Sequence, residues 1–511
     1  MKTKKKKQEK KPGQPADQGE TLYMAKGALR VNARGYWFTG GGEKGSFGFY
    51  PHLKTGSNLP VFPDTQVQGD LRMAAAWLKN LDLPIKDELF DKVFGKDGQD
   101  ASALLRIGDL TLAARSLSQW HTDRFQVKAR IQIQDSTHTV EEHMLMEKEL
   151  AYLEGLELEA PVYLGYFKRE GELDFAKERL EEAAGFLSGF GGGRSRGYGR
   201  GEVTLQWNAK NQAISFKSPG ATPKGDSFLL FLETLVNFRN KPTEPGGTQH
   251  LSSQDFISRE QMEAWLSNMY HRLFKRWPTV DEMASIHFSY LYPSDRDRRQ
   301  LGFPPPMTTL LYESGAIRDV WGVKWDEETP PVKADTDERE NLFSTKTRSL
   351  PSGSFVTHGP EPRELKIARE NRLRNAMDGL FVTKKDGLFV QELVRQGTVF
   401  GGVLSLDRVQ QKEFTDRVLF IVQQVKPIIK GAVFQTHLFA GDREATGRDP
   451  EKPHLVIAPL PCRPDFLQRP EEVVSKAFGA SYAALVSHTR KLVQIQRSVR
   501  DAQVETQRRA L

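Results

Sequence analysis

Residues 189–201 limit the structures that this chain can adopt more than any other segment, because seven glycines and three arginines fall within these 13 positions. Glycine reaches backbone conformations with positive φ and carries no side chain that would hold a ligand away from the backbone. Amides exposed in this way can bind an anion, and the forked donors of Arg194, Arg196 and Arg200 suit a phosphate group. We call residues 189–201 the glycine-arginine loop and interpret it as a clamp for an RNA backbone.

The segments on either side place this loop inside a folded domain. An amphipathic pattern at 172–186 predicts a helix before the loop, and alternation at 202–207 predicts a strand after it. A disordered Arg/Gly tail or flexible linker remains an alternative, although these neighbours disfavour it. A P-loop is disfavoured because the GxxxxGK[ST] order is missing, and a dinucleotide-binding turn runs from strand to helix, the reverse of the order here.

The composition indicates a soluble protein of two to four domains, since 27% of its 511 residues are charged and 38% are hydrophobic. A single cysteine, Cys462, excludes an internal disulfide framework and a Cys-rich zinc site. It fits a reducing compartment, so we expect a cytoplasmic protein. The lysine-rich start has no apolar region after it, so it does not resemble a secretory signal.

The net charge of +7 is concentrated at the two ends of the chain. Residues 1–20 and residues 490–511 each carry a net charge of +4, so the body between them has a net charge of −1. A lysine-rich start of this kind is typical of a solvated, disordered tail. Any nucleic-acid site in the body must therefore be a local basic groove and not a uniformly basic surface.

Patterns along the rest of the chain predict a mixture of strands and helices. One predicted strand leads into a second glycine-rich segment at residues 39–48, which we call the early glycine loop. The predicted elements are strands at 29–38, 104–112 and 162–167 and helices at 67–81, 172–186, 249–278 and 471–509.

In this order the segments resemble the RAMP superfamily of CRISPR interference complexes, in particular subunits of type III-D-like effectors. The early glycine loop is similar to the first loop of the family, and the glycine-arginine loop is similar to its closing loop. The turn and helix between them match the family pattern at Pro63, Gly69 and Arg72. The resemblance covers residues 22–210 well and residues 226–460 more loosely.

This resemblance implies an α+β fold with two ferredoxin-like (RRM-like) RAMP domains, insertions and a C-terminal helical segment. The expected organisation begins with a disordered Lys-rich tail at 1–20, followed by the first RAMP domain at 21–210 and a linker at 211–225. A second, divergent RAMP-like domain is expected at 226–460, and a C-terminal helical extension at 461–511.

Departures from the family pattern argue against catalysis in the first domain. The usual lysine of the turn-helix is Gln68 here, which predicts a weaker phosphate contact. RNA-cleaving members carry an aspartate shortly after the early glycines, where this chain has Phe47 and Tyr50 with Gly48 and Phe49 between them. The histidines show no HExxH or similar spacing. We therefore expect no catalytic residue, no metal and no cofactor.

The favoured function is a non-catalytic subunit that binds CRISPR RNA beside paired target RNA and other effector subunits, without a membrane partner. One alternative is a tandem backbone subunit whose second domain cuts target RNA with an aspartate. The candidates for that aspartate are Asp255, Asp281, Asp295 and Asp297. The other alternative is a CRISPR RNA-processing endoribonuclease with His138 or His358 as general base.

The predicted RNA-binding residues come from the two glycine-rich loops and from the turn-helix between them. They are Gly40, Gly41, Gly42, Lys44, Gln68, Arg72, Gly191, Gly192, Gly193, Arg194, Ser195, Arg196, Gly197, Tyr198, Gly199 and Arg200.

Overall fold

The computed structural model describes most of the chain between residues 20 and 440. The described residues are 20–40, 49–55, 57–80, 87–95, 103–130, 146–216, 225–240, 250–305, 309–312, 317–319, 347–349, 354–357, 363–377, 383–409 and 411–440. The predicted C-terminal extension at 461–511 and all but the last residue of the predicted tail lie outside them.

The first part of the chain forms an antiparallel sheet around a long strand whose residues alternate between buried and exposed positions, as expected when one face covers a core. The strands up to residue 216 are β1 (Leu22–Arg34), β2 (Tyr36–Trp37), β3 (Val61–Phe62), β4 (Leu105–Ile107), β5 (Leu110–Leu112), β6 (Phe125–Arg130), β7 (Met146–Tyr152), β8 (Glu157–Phe167), β9 (Arg200–Trp207) and β10 (Gln212–Ile214). The sheet has the order β10–β1–β8–β5–β3, with β9 also paired to β1 and β4 also paired to β8.

Two long helices cover one face of this first sheet. The helices of this part are α1 (Asp64–Asn80), α2 (Asp87–Phe94) and α3 (Glu170–Phe186). Leu29 of β1, Leu71 of α1 and Leu180 of α3 belong to one buried cluster. Along the chain the elements follow the order strand, helix, strand, strand, helix, strand, formed by β1, α1, β4 with β5, β8, α3 and β9.

The second part of the chain forms another antiparallel sheet, of order β13–β23–β11–β25–β24, with β14 also paired to β23. Its strands are β11 (Ser227–Thr234), β12 (His250–Leu251), β13 (Ile286–Phe288), β14 (Tyr292–Pro293), β15 (Gly302–Phe303), β16 (Thr309–Tyr312), β17 (Ile317–Asp319), β18 (Thr347–Ser349), β19 (Ser354–Thr357), β20 (Glu364–Lys366), β21 (Arg369–Met377), β22 (Thr383–Val394), β23 (Val399–Leu406), β24 (Ile428–Ile429) and β25 (Ala432–Ala440). The helices are α4 (Arg259–Phe274), α5 (Val280–Ala284) and α6 (Lys412–Gln424).

The two sheets share buried side chains. Leu22, Met24, Tyr163 and Tyr166 of the first sheet belong to the hydrophobic cluster that α4, α6 and the second sheet form. The described strands also form four three-stranded sheets; one of them, β2–β7–β6, begins directly after β1 in the chain. All the described residues belong to one unit, residues 1–319 with 341–440; a second unit, 320–340 with 441–511, lies outside them.

The mixed α+β class with antiparallel sheets confirms the prediction at the coarse level. The helix predicted at 67–81 begins earlier, at Asp64, whose backbone amide donates a hydrogen bond to the Asp109 carboxylate at 2.9 Å. The strand predicted at 104–112 is two strands, interrupted at Gly108. The helix predicted at 249–278 is shorter, because a capping box at Ser258 makes Arg259 its first residue and it ends at Phe274. Among the described helices, none has the length and apolar character needed to cross a membrane.

Candidate nucleic-acid interface

The glycine-arginine loop connects the end of α3 to the start of β9, in the helix–loop–strand order that the sequence predicts. It contains one short 3-10 turn at Arg194–Arg196, with Gly193 at φ 79° and Gly197 at φ 84° on its two sides. Residues other than glycine rarely adopt this left-handed conformation. The two glycines therefore determine how the turn presents its arginines.

Backbone hydrogen bonds fasten this loop to β2 and the residue after it. The amide of Gly192 donates to the carbonyl of Phe38 at 2.8 Å, and the amide of Gly199 donates to the carbonyl of Tyr36 at 2.8 Å. A Cβ atom on Gly199 would lie 1.9 Å from the carbonyl oxygen of Phe190, so only glycine fits at this position. Because β2 leads directly into the early glycine loop, the described base of that loop begins beside the glycine-arginine loop.

Several amides of the loop are occupied by the protein's own carbonyls, which limits where an anion could bind. Besides Gly192 and Gly199, Gly197 donates through its amide to the carbonyl of Arg194 at 3.0 Å. Within the described residues, the amides of Gly193 and Arg194 donate to no other group. The backbone amides that remain available to an anion are those of Gly193 and Arg194, at the start of the turn. Anion binding by these amides stays a prediction.

The three arginines of the loop have different surroundings. Arg194 is ion-paired with Asp70 of α1, with 3.0 Å between Nη2 and Oδ1. The side chains of Arg196 and Arg200 are exposed and make no ion pair or hydrogen bond within the described part of the chain. Arg200 stands opposite Arg34 in the pairing of β9 with β1, and both are exposed. Like charges opposite each other on a sheet repel, so a bound anion would stabilise this end of the sheet.

Asp70 joins the loop to α1. Burial raises the pKa of its carboxyl to about 6, although the positive charge of Arg194 acts in the opposite direction. Its Oδ2 atom is buried and has no hydrogen-bond partner among the described residues. The pair therefore fixes Arg194 and leaves Arg196 and Arg200 as the cations that are available to a ligand.

The two predicted site residues on α1 contact other elements. The side-chain Nε2 of Gln68 lies 3.5 Å from the carbonyl oxygen of Leu105. The guanidinium of Arg72 lies 5.9 Å from the centre of the Phe90 ring of α2. Such a cation–ring contact holds the arginine against the protein. The described link between α1 and the loop is instead Asp70, which the sequence did not single out.

The early glycine loop is described only at its base. Gly40 lies within the described residues, and Gly41, Gly42 and Lys44 lie outside them. Gly40 forms an antiparallel bridge with His52, which is almost fully buried among aromatic rings. Burial lowers the pKa of His52 to about 4, so a neutral imidazole supports the base of this loop at neutral pH.

Two aromatic side chains next to the glycine-arginine loop add to the candidate site. Tyr36 and Phe38 are partly exposed, whereas Trp37 between them is buried in the core. The Nζ of Lys128 lies 4.9 Å from the centre of the Tyr36 ring, and the Nζ of Lys148 lies 4.7 Å from that of Phe38. Rings on which bases can stack, beside cations that can pair with phosphates, are typical of single-strand binding surfaces. In the sequence, the signal for this surface is a run of three aromatic residues directly before the early glycine loop.

The aspartates proposed as catalytic in the second part of the chain give no cluster. Three are paired with arginine: Asp255 with Arg369, Asp295 with Arg298 at 3.7 Å, and Asp297 with Arg296 at 3.1 Å. Asp281 lies in the first turn of α5. In the described ranges, no three His, Cys, Asp or Glu side chains are grouped to hold a metal ion. His138, His358 and Cys462 lie outside those ranges.

Part of the chain matches one known protein family. Residues 30–202 match the model of the RAMP superfamily. No curated protein matches the chain. Among solved structures, the chain is similar to one in the cryo-EM structure of the type III-B Cmr-beta bound to cognate target RNA, with 14% identity, 36% of this chain and 96% of that chain covered, and a TM-score of 0.27. Residues 30–202, which include the described part of the candidate nucleic-acid interface, are therefore similar to the RAMP superfamily.

Proposed function

We propose that this protein is a non-catalytic RNA-binding subunit of a type III CRISPR interference complex, in which it holds the backbone of the CRISPR RNA at the glycine-arginine loop. The observation that carries the proposal is that Arg196 and Arg200 are exposed and unpaired within the described residues, on a loop pinned by backbone hydrogen bonds. A loop that is ordered before binding loses little conformational entropy when it binds.

The surface beside the loop suits a single strand. Bases would stack on Tyr36 and Phe38, while phosphates would pair with Arg196, Arg200 and Lys128. Stacking and phosphate pairing do not depend on base identity, so binding would be largely independent of sequence and sensitive to salt. The partners of such a subunit would be CRISPR RNA, paired target RNA and other effector subunits, in the cytoplasm.

For the architecture, we propose two ferredoxin-like RAMP domains, at 21–210 and 226–460, with the linker at 211–225 between them. The support comes from the matching arrangement of the two sheets. In the second sheet, β11, α4, β13, β23, α6 and β25 again follow the order strand, helix, strand, strand, helix, strand. In the first sheet, β1 pairs with β8 on one side and β9 on the other. In the second sheet, β11 pairs in the same way with β23 and β25.

The test is retention of CRISPR RNA by the assembled complex. The double variant Arg196→Ala/Arg200→Ala should lose guide RNA at a lower salt concentration than the natural protein, because two phosphate contacts are gone. Arg363→Ala, which removes an exposed arginine of the second part of the chain, serves as the matched control. Equal retention in the double variant and the natural complex would refute the loop as an RNA contact.

The non-catalytic part of the proposal has its own test. The complex is incubated with guide-matched RNA and Mg²⁺, and the isolated chain with a precursor repeat in the presence of EDTA. We expect both RNAs to remain intact when this chain is the only candidate nuclease. Cleavage of the target that is lost with Asp255→Ala, Asp281→Ala, Asp295→Ala or Asp297→Ala would instead establish the tandem-nuclease alternative, and metal-independent cleavage of the repeat would establish the processing enzyme.

A further inference from the structure

A second group of cations lies at the other end of β1 from the glycine-arginine loop. Lys26 stands opposite Tyr163 of β8, and Tyr163 in turn stands opposite Arg106 of β4. Directly opposed residues of an antiparallel sheet place their side chains on the same face. Lys26 is eight residues before Arg34, so the row lies about 27 Å along the strand from the loop end of β1.

A segment of the second part of the chain approaches Tyr163 and Arg106 of this row, while Lys26 is exposed. The Nζ of Lys426 lies 6.0 Å from the centre of the Tyr163 ring, and the Nζ of Lys26 lies 5.8 Å from the same point. Gly431, in the turn before β25, comes close to Arg106, whose Nη2 would lie 3.8 Å from a Cβ atom there. The ammonium groups of Lys26 and Lys426 thus lie near one ring, and Arg106 stands beside that ring in the strand register. We call these three residues with Tyr163 the junction cluster.

No carboxylate neutralises the junction cluster by direct contact within the described residues. Lys426 donates to the side-chain oxygen of Gln435 at 2.7 Å, and the Lys26 side chain makes no hydrogen bond or ion pair with any described residue. Arg106 donates to the carbonyl of Leu105 at 3.2 Å, and its Nε atom is buried and has no hydrogen-bond partner in the described ranges.

Burial makes this lack of a counter-ion unfavourable. Burial, and to a lesser degree the charge of Lys26, lowers the pKa of Lys426. Burial also lowers the pKa of Arg106 to about 10, although the negative charge of Asp64 opposes this. Partly buried cations that repel one another are stabilised when an anion joins them.

We propose that the junction cluster is a second anion site, in which Lys26, Arg106 and Lys426 bind one phosphate group beside the ring of Tyr163. A phosphate fits this set because it offers several acceptor oxygens to donors that approach from different sides. It could belong to an RNA backbone or to a small phosphate compound. The site is separate from the glycine-arginine loop and does not depend on the function proposed for that loop.

The experiment measures the thermal stability of the full chain against the concentration of inorganic phosphate, at constant ionic strength. A ligand that binds the folded state raises the melting temperature according to its affinity. In Lys26→Met and in Lys426→Met, phosphate should bind about tenfold more weakly than in the natural protein, because one charged contact is lost. Without phosphate these variants should be at least as stable as the natural protein, because a repulsion is removed. Lys210→Met, which removes an exposed lysine on the turn between β9 and β10, is the matched control.

A second titration uses a uridine oligonucleotide without a terminal phosphate, to distinguish the source of the anion. If the Lys26 and Lys426 variants weaken the stabilisation by the oligonucleotide alone, the site binds an RNA backbone. If they weaken the stabilisation by inorganic phosphate, the site binds a free phosphate group. Equal responses of the natural protein, both variants and the control to each ligand would overturn the proposal. The Arg196→Ala/Arg200→Ala variant should keep its phosphate response even where it loses guide RNA, so the two proposals fail separately.

Discussion

The guanidinium of Arg372 lies 2.5 Å from the carboxylate of Asp109, although 263 positions separate the two residues in the sequence. Arg372 belongs to β21, its side chain is 2% exposed, and it also contacts Asp64 at 3.1 Å and Glu370 at 2.7 Å. Burial opposes its positive charge, but the three carboxylates outweigh burial and raise the pKa of Arg372 above its usual value. Because Asp64 begins α1, this contact ties the second part of the chain to the helix that holds the glycine-arginine loop.

Replacing Arg372 by methionine should destabilise the protein by about 3–5 kcal/mol, since it leaves the buried carboxylates without their partner. Urea unfolding of the full chain measures the loss. Arg369→Met is the matched control on the same strand, because Arg369 is 33% exposed and pairs with Glu392 and Asp255. An equal loss of unfolding free energy in the two variants would show that the contact of Arg372 with α1 does not stabilise the protein more than the ion pairs of Arg369.

Gly199→Ala should disrupt the closed form of the glycine-arginine loop. The new Cβ would collide with the carbonyl oxygen of Phe190, and Gly199 has φ +69°. We expect a loss of about 2 kcal/mol or more in the free energy of unfolding, with weaker retention of RNA. Gly185→Ala is the contrasting variant, because Gly185 lies in α3 and its Cβ would meet no atom within 4 Å. There alanine should stabilise the protein by about 0.5–1 kcal/mol.

The salt dependence of RNA binding should separate the three arginines of the loop. A plot of log affinity against log salt concentration should become less steep by about 0.7 for each phosphate contact to a single strand that is removed. We expect this change for Arg196→Ala and for Arg200→Ala. Arg194→Ala should change the slope less, because Arg194 is already paired with Asp70. If Arg194→Ala produced the largest change, the assignment of free and paired arginines would be wrong.

His52 should make the protein less stable in acid. Its pKa is about 4 in the folded protein and 6.5 when unperturbed, so between these values the unfolded chain binds a proton that the folded chain does not. Stability should fall by about 3 kcal/mol as the pH drops from 6.5 to 4. His52→Leu should remove this loss, and His121→Leu, at an exposed histidine, serves as the control. Chemical denaturation at several pH values measures the difference.

Asp70 should act in the opposite sense over an overlapping range. Its pKa is about 6 in the folded protein and 3.8 when unperturbed, so the folded chain binds the extra proton and stability rises as the pH falls from 6 to 4. Asp70→Asn should therefore raise the free energy of unfolding at pH 7 by about 1–3 kcal/mol. The gain should vanish near pH 4. Asp226→Asn, at an exposed aspartate, is the control, and a variant that is less stable at pH 7 would contradict this account of Asp70.

Much of the candidate site could be predicted from local patterns. The glycine-arginine loop was placed between a helix and a strand, and both are present. Glycine content, charge and hydrophobic periodicity are properties of neighbouring residues, so they can be recognised without the fold. The boundary of α4 was less predictable, because the capping box at Ser258 competes with an apolar pattern that extends beyond it.

Local patterns could not predict which arginine of the loop is ion-paired and which are exposed. The sequence presents Arg194, Arg196 and Arg200 as equivalent cations, and only the approach of α1 gives Arg194 a partner in Asp70. The same holds for Lys128 and Lys148, which reach Tyr36 and Phe38 because β6 and β7 pair next to β2.

The sequence by itself determined that this chain has an α+β fold and a glycine-arginine loop before a strand, because these depend on local conformational preference and periodicity. The tertiary structure decided which charges are neutralised and which remain available. Arg372 pairs with Asp109, which is 263 positions away in the sequence, whereas Lys26 and Lys426 lie near the ring of Tyr163 and contact no carboxylate among the described residues. Charge pairing depends on distances of a few ångströms and on burial, and both exist only once the chain has folded.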